Sequence, residues 1–357
     1  MPTPEQLRQR FLANPVLQPQ EDVAIGASQP TIQPAMGSVI DFVPVLDPKV
    51  FDHLDLSPAD MGHQLPHLFP FHSVCKNGPL SAIHSMVTSE SRTVAFLHHA
   101  LTVALKAGNV DAAHYLLDSG APIGRKTPDC ILQAPADRQV PLFDLLAHHG
   151  WDVNTRGYDG NVLLPFVITN LDVLRWFLTH GANPNLGVHP NRPDSTVSGP
   201  STESCNTLQL AAAHSTVEAV QMLLDAGAQI GYGTPLHSAA GVCEESSGPR
   251  RGRVKSGKEF DEGRIPVMDL LVARGADINQ AMDTPYLEPL YPITCAVIAG
   301  AVERVRWLLD HGANPHMRGW HMIAAEAAAN MGSDEMKSVM AEGLATRKWV
   351  ESGTEQA

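Results

Sequence analysis

The chain of 357 residues has no apolar run approaching the roughly 18 residues of a membrane-spanning helix, so no such span is expected. Basic residues are in the minority: Lys and Arg number 25 against 38 Asp and Glu, a net charge of −13. That balance argues against nucleic acid or an anionic membrane surface as the main partner. Cysteine is scarce. Cys75, Cys130, Cys205, Cys243 and Cys295 are odd in number and form no C-x-x-C pair. Free thiols of this kind suit a reducing compartment, cytoplasm or nucleus, and each cysteine reads as a small apolar core residue. Residues 1–17 carry Glu5, Arg8 and Arg10 without an apolar segment, unlike a secretory leader.

Signature loops of common chemistry are missing too. There is no G-x-S-x-G elbow, no P-loop, no G-x-G-x-x-G after a strand and no H-E-x-x-H. No cofactor is expected. Acid–base catalysis stays open, because one or two placed side chains suffice and leave no motif. A cysteine–histidine pair that meets only in space stays open as well. The chain has 17 histidines. His63 and His67 would share a helical face and hold zinc, with His53, Asp55, Asp60 and His72 nearby. Pro66 and Pro70 interrupt that helix and no carboxylate completes a known spacing, so no metal site is expected.

What is present is a repeat, on an apolar fraction of 43% that is ample for a core. Apolar triplets recur at Tyr115-Leu116-Leu117, Leu145-Leu146-Ala147, Trp176-Phe177-Leu178, Met222-Leu223-Leu224, Leu270-Leu271-Val272 and Trp307-Leu308-Leu309. Three residues after each comes a glycine: Gly120, Gly150, Gly181, Gly227, Gly275 and Gly312, spaced 30, 31, 46, 48 and 37 apart. The shorter spacings are close to one structural unit, and the longer ones read as that unit with loops added. Inside the unit, Ala104–Gly108, Ala211–Ser215 and Ala296–Gly300 offer small residues for close helix packing, 12 residues before the terminal glycine. Each glycine is expected to end a helix in the left-handed region. His149, His180 and His311 directly precede such glycines, where a cation suits the helix C-terminus.

Thr234-Pro235-Leu236-His237-Ser238-Ala239-Ala240 resembles the T-P-L-H-x-A-A signature of the ankyrin repeat. Val217–Ala228 and Val302–Pro315 resemble the family's second helix and turn, and Asp152-Val153-Asn154, Asn183-Pro184-Asn185 and Asp277-Ile278-Asn279 its turn ending. Degenerate copies at residues 74–87 and 328–340 extend the resemblance over residues 68–345. The fold class it implies is all-α, a helical solenoid of about six to eight helix-turn-helix units. Leu116, Leu223 and Leu308 are then core residues. Thr234 is expected to cap its helix, and His237 to tie neighbouring turns.

The organisation is an N-terminal extension at 1–65, a repeat domain at 66–345 and a tail at 346–357. The extension is proline-rich and largely extended, and its apolar stretch Val39–Leu46 suggests packing on the stack. Insertions fall near 186–204, 241–263 and 280–292. The second holds Arg250, Arg251, Arg253, Lys255 and Lys258; nuclear import, a phosphate contact or a solvated loop balanced by nearby acids all fit it. The step from Gly227 to Thr234 is only seven residues, so the projecting hairpin of a regular unit is expected to be lost there.

One function follows from the resemblance, and a second from the departures from it: the uneven loops, the lost hairpin and the N-terminal extension. The first is an intracellular scaffold, cytoplasmic or nuclear, that binds a protein partner through a concave face. Arg156, Tyr158, Asp159, Tyr232, Tyr286, Glu288, Tyr291, Arg318 and Trp320 fall near that face, where Tyr, Trp and Arg favour recognition; ordinary loop packing also accounts for them. The alternative is an enzyme with a pocket in the groove, isomerising or cyclising a small apolar ligand. Its catalytic candidates are His237, Asp159, Tyr232 and Tyr286.

Overall fold

A computed structural model describes residues 69–88, 94–155, 162–187, 201–244, 256–282, 290–318 and 323–346. It divides into two compact units between residues 158 and 159. Among the described residues the regular elements are helices, joined by turns and loops that carry two isolated antiparallel bridges, Gly187 with Ser201 and Met282 with Leu290.

Among the described residues, the first unit holds three helix pairs. They are α1 (Phe69–Asn77) with α2 (Leu80–Thr88), α3 (Val94–Ala107) with α4 (Val110–Asp118), and a 3-10 turn (Pro128–Gln133) with α5 (Ala136–His148). The second unit holds five among its described residues. They are α6 (Leu164–Val167) with α7 (Leu171–Thr179), α8 (Asn206–His214) with α9 (Val217–Asp225), and α10 (Pro235–Gly241) with α11 (Lys258–Ala273). Then come α12 (Pro292–Ile298) with α13 (Val302–Asp310), and α14 (Ala324–Met331) with α15 (Asp334–Thr346).

Four second helices open on a side-chain cap. Asn109, Asn170, Thr216 and Ser333 accept the N–H groups of Ala112, Val173, Ala219 and Met336 at 3.1–3.4 Å. Each such cap stabilises by about 1 kcal/mol. The helices close on the expected glycines: Gly120, Gly150, Gly181, Gly227, Gly275 and Gly312 have φ of +85° to +98°. The following residue's N–H returns to the carbonyl five back, as Ala228 does to Leu223 at 2.9 Å and Ala313 to Leu308 at 2.9 Å. An added Cβ at Gly120, Gly150, Gly181, Gly227 or Gly275 would touch nothing. Conformation, not space, selects glycine there.

The apolar triplets point inward, and Leu116, Leu223 and Leu308 are fully buried as expected. The first helices approach closely through alanines 211, 212, 239, 240 and 296, all fully buried. At Gly241 of α10 a Cβ would stand 3.0 Å from the Cβ of Cys295 in α12, so here space does select glycine. Successive turns are stitched by asparagine. Asn185 Nδ2 donates to the Gly227 carbonyl at 3.0 Å, and its Oδ1 accepts the Gln229 N–H at 2.9 Å. Asn279 repeats this with Gly312 and Asn314 at 3.2 and 2.8 Å.

Pro141 in α5 and Pro266 in α11 both lie nine residues before the closing glycine. The capped second helices carry an acid at that position: Asp111, Asp172 and Glu218. It belongs to the first turn of a regular second helix, where a missing N–H costs little. Both α5 and α11 continue N-terminally past the proline. In α11 this takes in residues 258–263, expected from sequence to be loop; Glu259 and Asp261 in the first turn suit a helix start.

Another expectation fails here. Thr234 does not cap α10 with its side chain; its hydroxyl lies 3.5 Å from the Met282 sulfur. The backbone at Thr234, φ −130° and ψ 58°, turns the hydroxyl toward the next turn instead.

Candidate functional site

In the second unit, the turns after the second helices differ in length. After α7, Gly187 and Ser201 exchange two backbone hydrogen bonds at 2.9 and 3.1 Å, closing the base of a long loop. After α11, the Met282 N–H bonds the Leu290 carbonyl at 3.0 Å and closes a second one. After α9 no such pair forms. Ile230–Tyr232 make a single 3-10 turn, and Gly233 leads directly into α10. The seven-residue step removes the projecting hairpin, as its length predicts.

The missing hairpin leaves a cavity of about 510 Å³. Leu224, Gln229, Ile230 and Gly231 line one side; Arg274, Asp277 and Gln280 line the other. Four side chains in it are already engaged: Gln229 Nε2 donates to the Gly227 carbonyl at 3.1 Å, and Asp277 Oδ1 accepts the Asn279 N–H at 2.8 Å. Arg274 donates to Asp225 at 2.8 Å, and Gln280 Nε2 donates to the Gly233 carbonyl at 3.2 Å. Gln221, bonded at 2.7 Å to both oxygens of Asp225, and then Arg274 hold that carboxyl below its ordinary range. Gln229 and Asp277 are exposed, and Tyr232 stands beside the turn at 38% exposure.

Of the residues singled out in the sequence, Tyr232 and Arg318 are exposed. Tyr291 is not: it lies at the start of α12 with only 8% exposed, a packed residue. Arg156, Tyr158, Asp159, Tyr286, Glu288 and Trp320 lie outside the described residues. So do the extension at 1–65, including His63 and His67, and the basic stretch 250–255. His237 is 3% exposed, and its Nε2–H donates to the Leu290 carbonyl at 2.8 Å. Burial drives its pKa down to about 4, so the ring is neutral at pH 7. It ties two neighbouring turns, as the resemblance implies, and does not line the cavity.

The cap-position histidines are also accounted for. His180 and His311 bond the carbonyls of Trp176 and Trp307 at 2.7 and 2.8 Å and stack on those indoles at 4.0 Å. His149 reaches Asp118 of the preceding pair at 3.6 Å. All five cysteines are free thiols. Burial pushes those of Cys75, Cys205 and Cys295 up to about 12, far from a reactive thiolate. Among the described residues, no group of three or more His, Cys, Asp or Glu side chains is arranged to hold a metal. No described helix is long and apolar enough to cross a membrane.

The cavity residues Gln229, Arg274, Asp277 and Gln280 were not singled out from sequence; the short step to Thr234 was their one signal. A buried ion pair was missed altogether. Arg304 Nε and Nη2 lie 3.0 Å from Asp261 Oδ1, both side chains being almost wholly buried. Its signal was a charge on the inward stripe of α13, one turn before Leu308.

The ankyrin repeat family model matches residues 290–320, which span α12 and α13. The same pair of helices closing on a left-handed glycine recurs through both units. One similar solved structure is the ankyrin repeat domain of Bcl-3, described as a unique member of the IkappaB protein family. It is 21% identical with a TM-score of 0.41, over 68% of this chain and 85% of that one. No curated protein matches the chain.

Proposed function

We propose that this chain of ankyrin repeats is a protein-interaction scaffold, and that it seats an extended segment of its partner in the notch left by the short turn 227–234. The observation that carries this reading is the cavity itself. A repeat that loses its hairpin exposes the flanks of the turns on either side, and here they present hydrogen-bonding side chains. Gln229 and Asp277 suit the amide groups of an extended peptide, and Tyr232 offers a rigid amphipathic ring at the margin. The net charge of −13 favours a partner segment with basic residues. Arg318 and the residues Arg156, Tyr158, Asp159, Tyr286, Glu288 and Trp320 would extend the contact from other turns. Tyr291 drops out of this set because it is packed. The free thiols suit a partner met in the cytoplasm or nucleus.

The test is a variant that fills the notch. Gly231 lacks a positive φ, and a Cβ there would touch nothing, so Gly231→Trp is tolerated by the backbone and projects into the cavity. Partners recovered on the immobilised full chain are identified by mass spectrometry, and their affinity is measured against both forms. The expected result is at least a tenfold loss with an unchanged melting midpoint. Undiminished binding to Gly231→Trp would overturn the notch as the contact surface.

A further inference from the structure

Arg304 is fully buried and makes five polar contacts. Two go to Asp261 Oδ1 at 3.0 Å, two to the Ala239 and Ala240 carbonyls at the end of α10 at 2.9 and 2.8 Å, and one to Ser256 Oγ at 3.1 Å. Asp261 in turn accepts the Ser256 hydroxyl at 2.6 Å and the Glu303 N–H at 3.3 Å. The last contact is a cap. The N-cap of α13 is Ala301, whose methyl group accepts no hydrogen bond, and the carboxylate comes from α11 instead. Ser256 is the neutral member of the cluster, donating to the anion and accepting from the cation. It is 4% exposed, and it precedes Gly257, whose extended backbone (φ −70°, ψ 145°) leads into α11.

The sequence before that hydroxyl is Arg251-Gly252-Arg253-Val254-Lys255-Ser256. Guanidinium groups five and three residues ahead of a serine are what the acidic cleft of an arginine-directed protein kinase reads, through charge-assisted pairs. We propose that Ser256 is a phosphoacceptor for such a kinase, reached when the start of α11 opens, and that its modification holds that start, Asp261 included, away from Arg304 and α13. In the transfer, Ser256 Oγ bonds the γ-phosphorus of ATP while the bond to the β,γ-bridging oxygen breaks. ADP leaves with that electron pair, and the hydroxyl proton passes to the kinase's catalytic carboxylate and then to water.

The product does not fit back. The hydroxyl proton that met Asp261 is gone, and in its place stands a group of charge about −1.5 to −2 at neutral pH. One Arg304 cannot satisfy both the phosphate and the Asp261 carboxylate. The phosphoserine therefore stays outside, and Lys258–Ile265 lose their tie to α13. Asp261 leaves with that segment, and Arg304, then open to water, keeps its bonds to the Ala239 and Ala240 carbonyls, so the rest of the unit stays folded.

The experiment uses the full chain, ATP with magnesium, and the catalytic subunit of cAMP-dependent protein kinase as the probe. Intact-mass and fragment spectra locate the phosphate, and hydrogen exchange reads residues 258–265. The expected result is one phosphate on Ser256, absent in Ser256→Ala and slowed at least tenfold in Arg253→Gln, which alters none of the buried partners. Exchange over 258–265 should rise at least tenfold on modification, while that of 302–310 changes little. Asp261→Asn, which weakens the latch, should speed the transfer if the variant remains folded; if it does not fold, the Arg253→Gln comparison decides. Failure to phosphorylate Ser256 in the folded chain, a rate indifferent to Arg253→Gln, or unchanged exchange over 258–265 would each overturn the proposal.

Discussion

Replacing Arg304 by methionine keeps a long unbranched stem and deletes the guanidinium. The structure sets the magnitude. Asp261 becomes a buried carboxylate with no counter-charge, a loss of about 3–5 kcal/mol for a broken buried pair. The Ala239 and Ala240 carbonyls lose the donor Nη1 that serves both, a further 1–3 kcal/mol or so. The costs overlap, so Arg304→Met should destabilise the second unit by about 4–6 kcal/mol, or roughly 10–20 °C of melting midpoint for a unit of this size. The informative variant is the second one. Adding Asp261→Leu removes the stranded anion while leaving the carbonyl cost in place. The double substitution should therefore be more stable than Arg304→Met alone, by about 2–3 kcal/mol. Urea melts followed by circular dichroism decide it. Were the double variant the weaker of the two, the pair would not be the charge-compensated cluster drawn here.

Two further outcomes follow from the same geometry. Gly181→Ala meets no atom and pays only for φ of +85°, about 1 kcal/mol, whereas Gly241→Ala pushes on the Cβ of Cys295 at 3.0 Å and should cost about 1–3 kcal/mol; equal losses in thermal melts would contradict the distinction. His237 has its folded pKa depressed from 6.5 to about 4, so below pH 6.5 the unfolded chain binds a proton that the native ring resists. Stability is then complete above pH 6.5 and declines toward pH 4 by up to about 3 kcal/mol, and His237→Gln, which keeps a donor for Leu290, should flatten that decline in pH-dependent urea melts.

The helix pairs were legible because their determinants are local. The triplet fixes which face is buried, and the glycine three residues later fixes where the helix stops; neither needs a distant contact. The lost hairpin was legible as a count of residues between Gly227 and Thr234. The asparagine ladder was half legible: the turn endings at Asn185 and Asn279 stood out, but their bonds to Gly227 and Gly312 link successive repeats and have no local mark. Tyr291 misled because aromatic type was read as a sign of recognition, when its place at the start of α12 puts it inside. Thr234 misled because a residue in a capping position caps only if its χ1 and backbone agree. The Asp261–Arg304 cluster depended on an insertion whose return into helix no repeat pattern predicts. A charged residue on an inward stripe asks for a partner, yet sequence does not say from which segment it comes.

These departures bear on one helix. α11 has 16 residues, about 24 Å at the usual rise, with the Ser256–Asp261–Arg304 cluster near its first turn and the cavity residue Arg274 just past its end. Pro266 divides it. Having no N–H, it cannot bond the Glu262 carbonyl, so the ladder is already broken between the two halves. The second half is fixed independently by Val267, Met268 and Leu271, all fully buried, and by the left-handed close at Gly275. The first half holds to the next repeat through the Asp261 contacts with Arg304 and the Glu303 N–H, which a charge at Ser256 would remove, and to the preceding one through Arg264, which donates to the Ala213 and Ser215 carbonyls. Detaching residues 258–265 therefore need not unwind 267–273 or displace Arg274. A latch built this way changes what the insertion presents while leaving the notch formed, and a rigid α11 without the proline would couple the two.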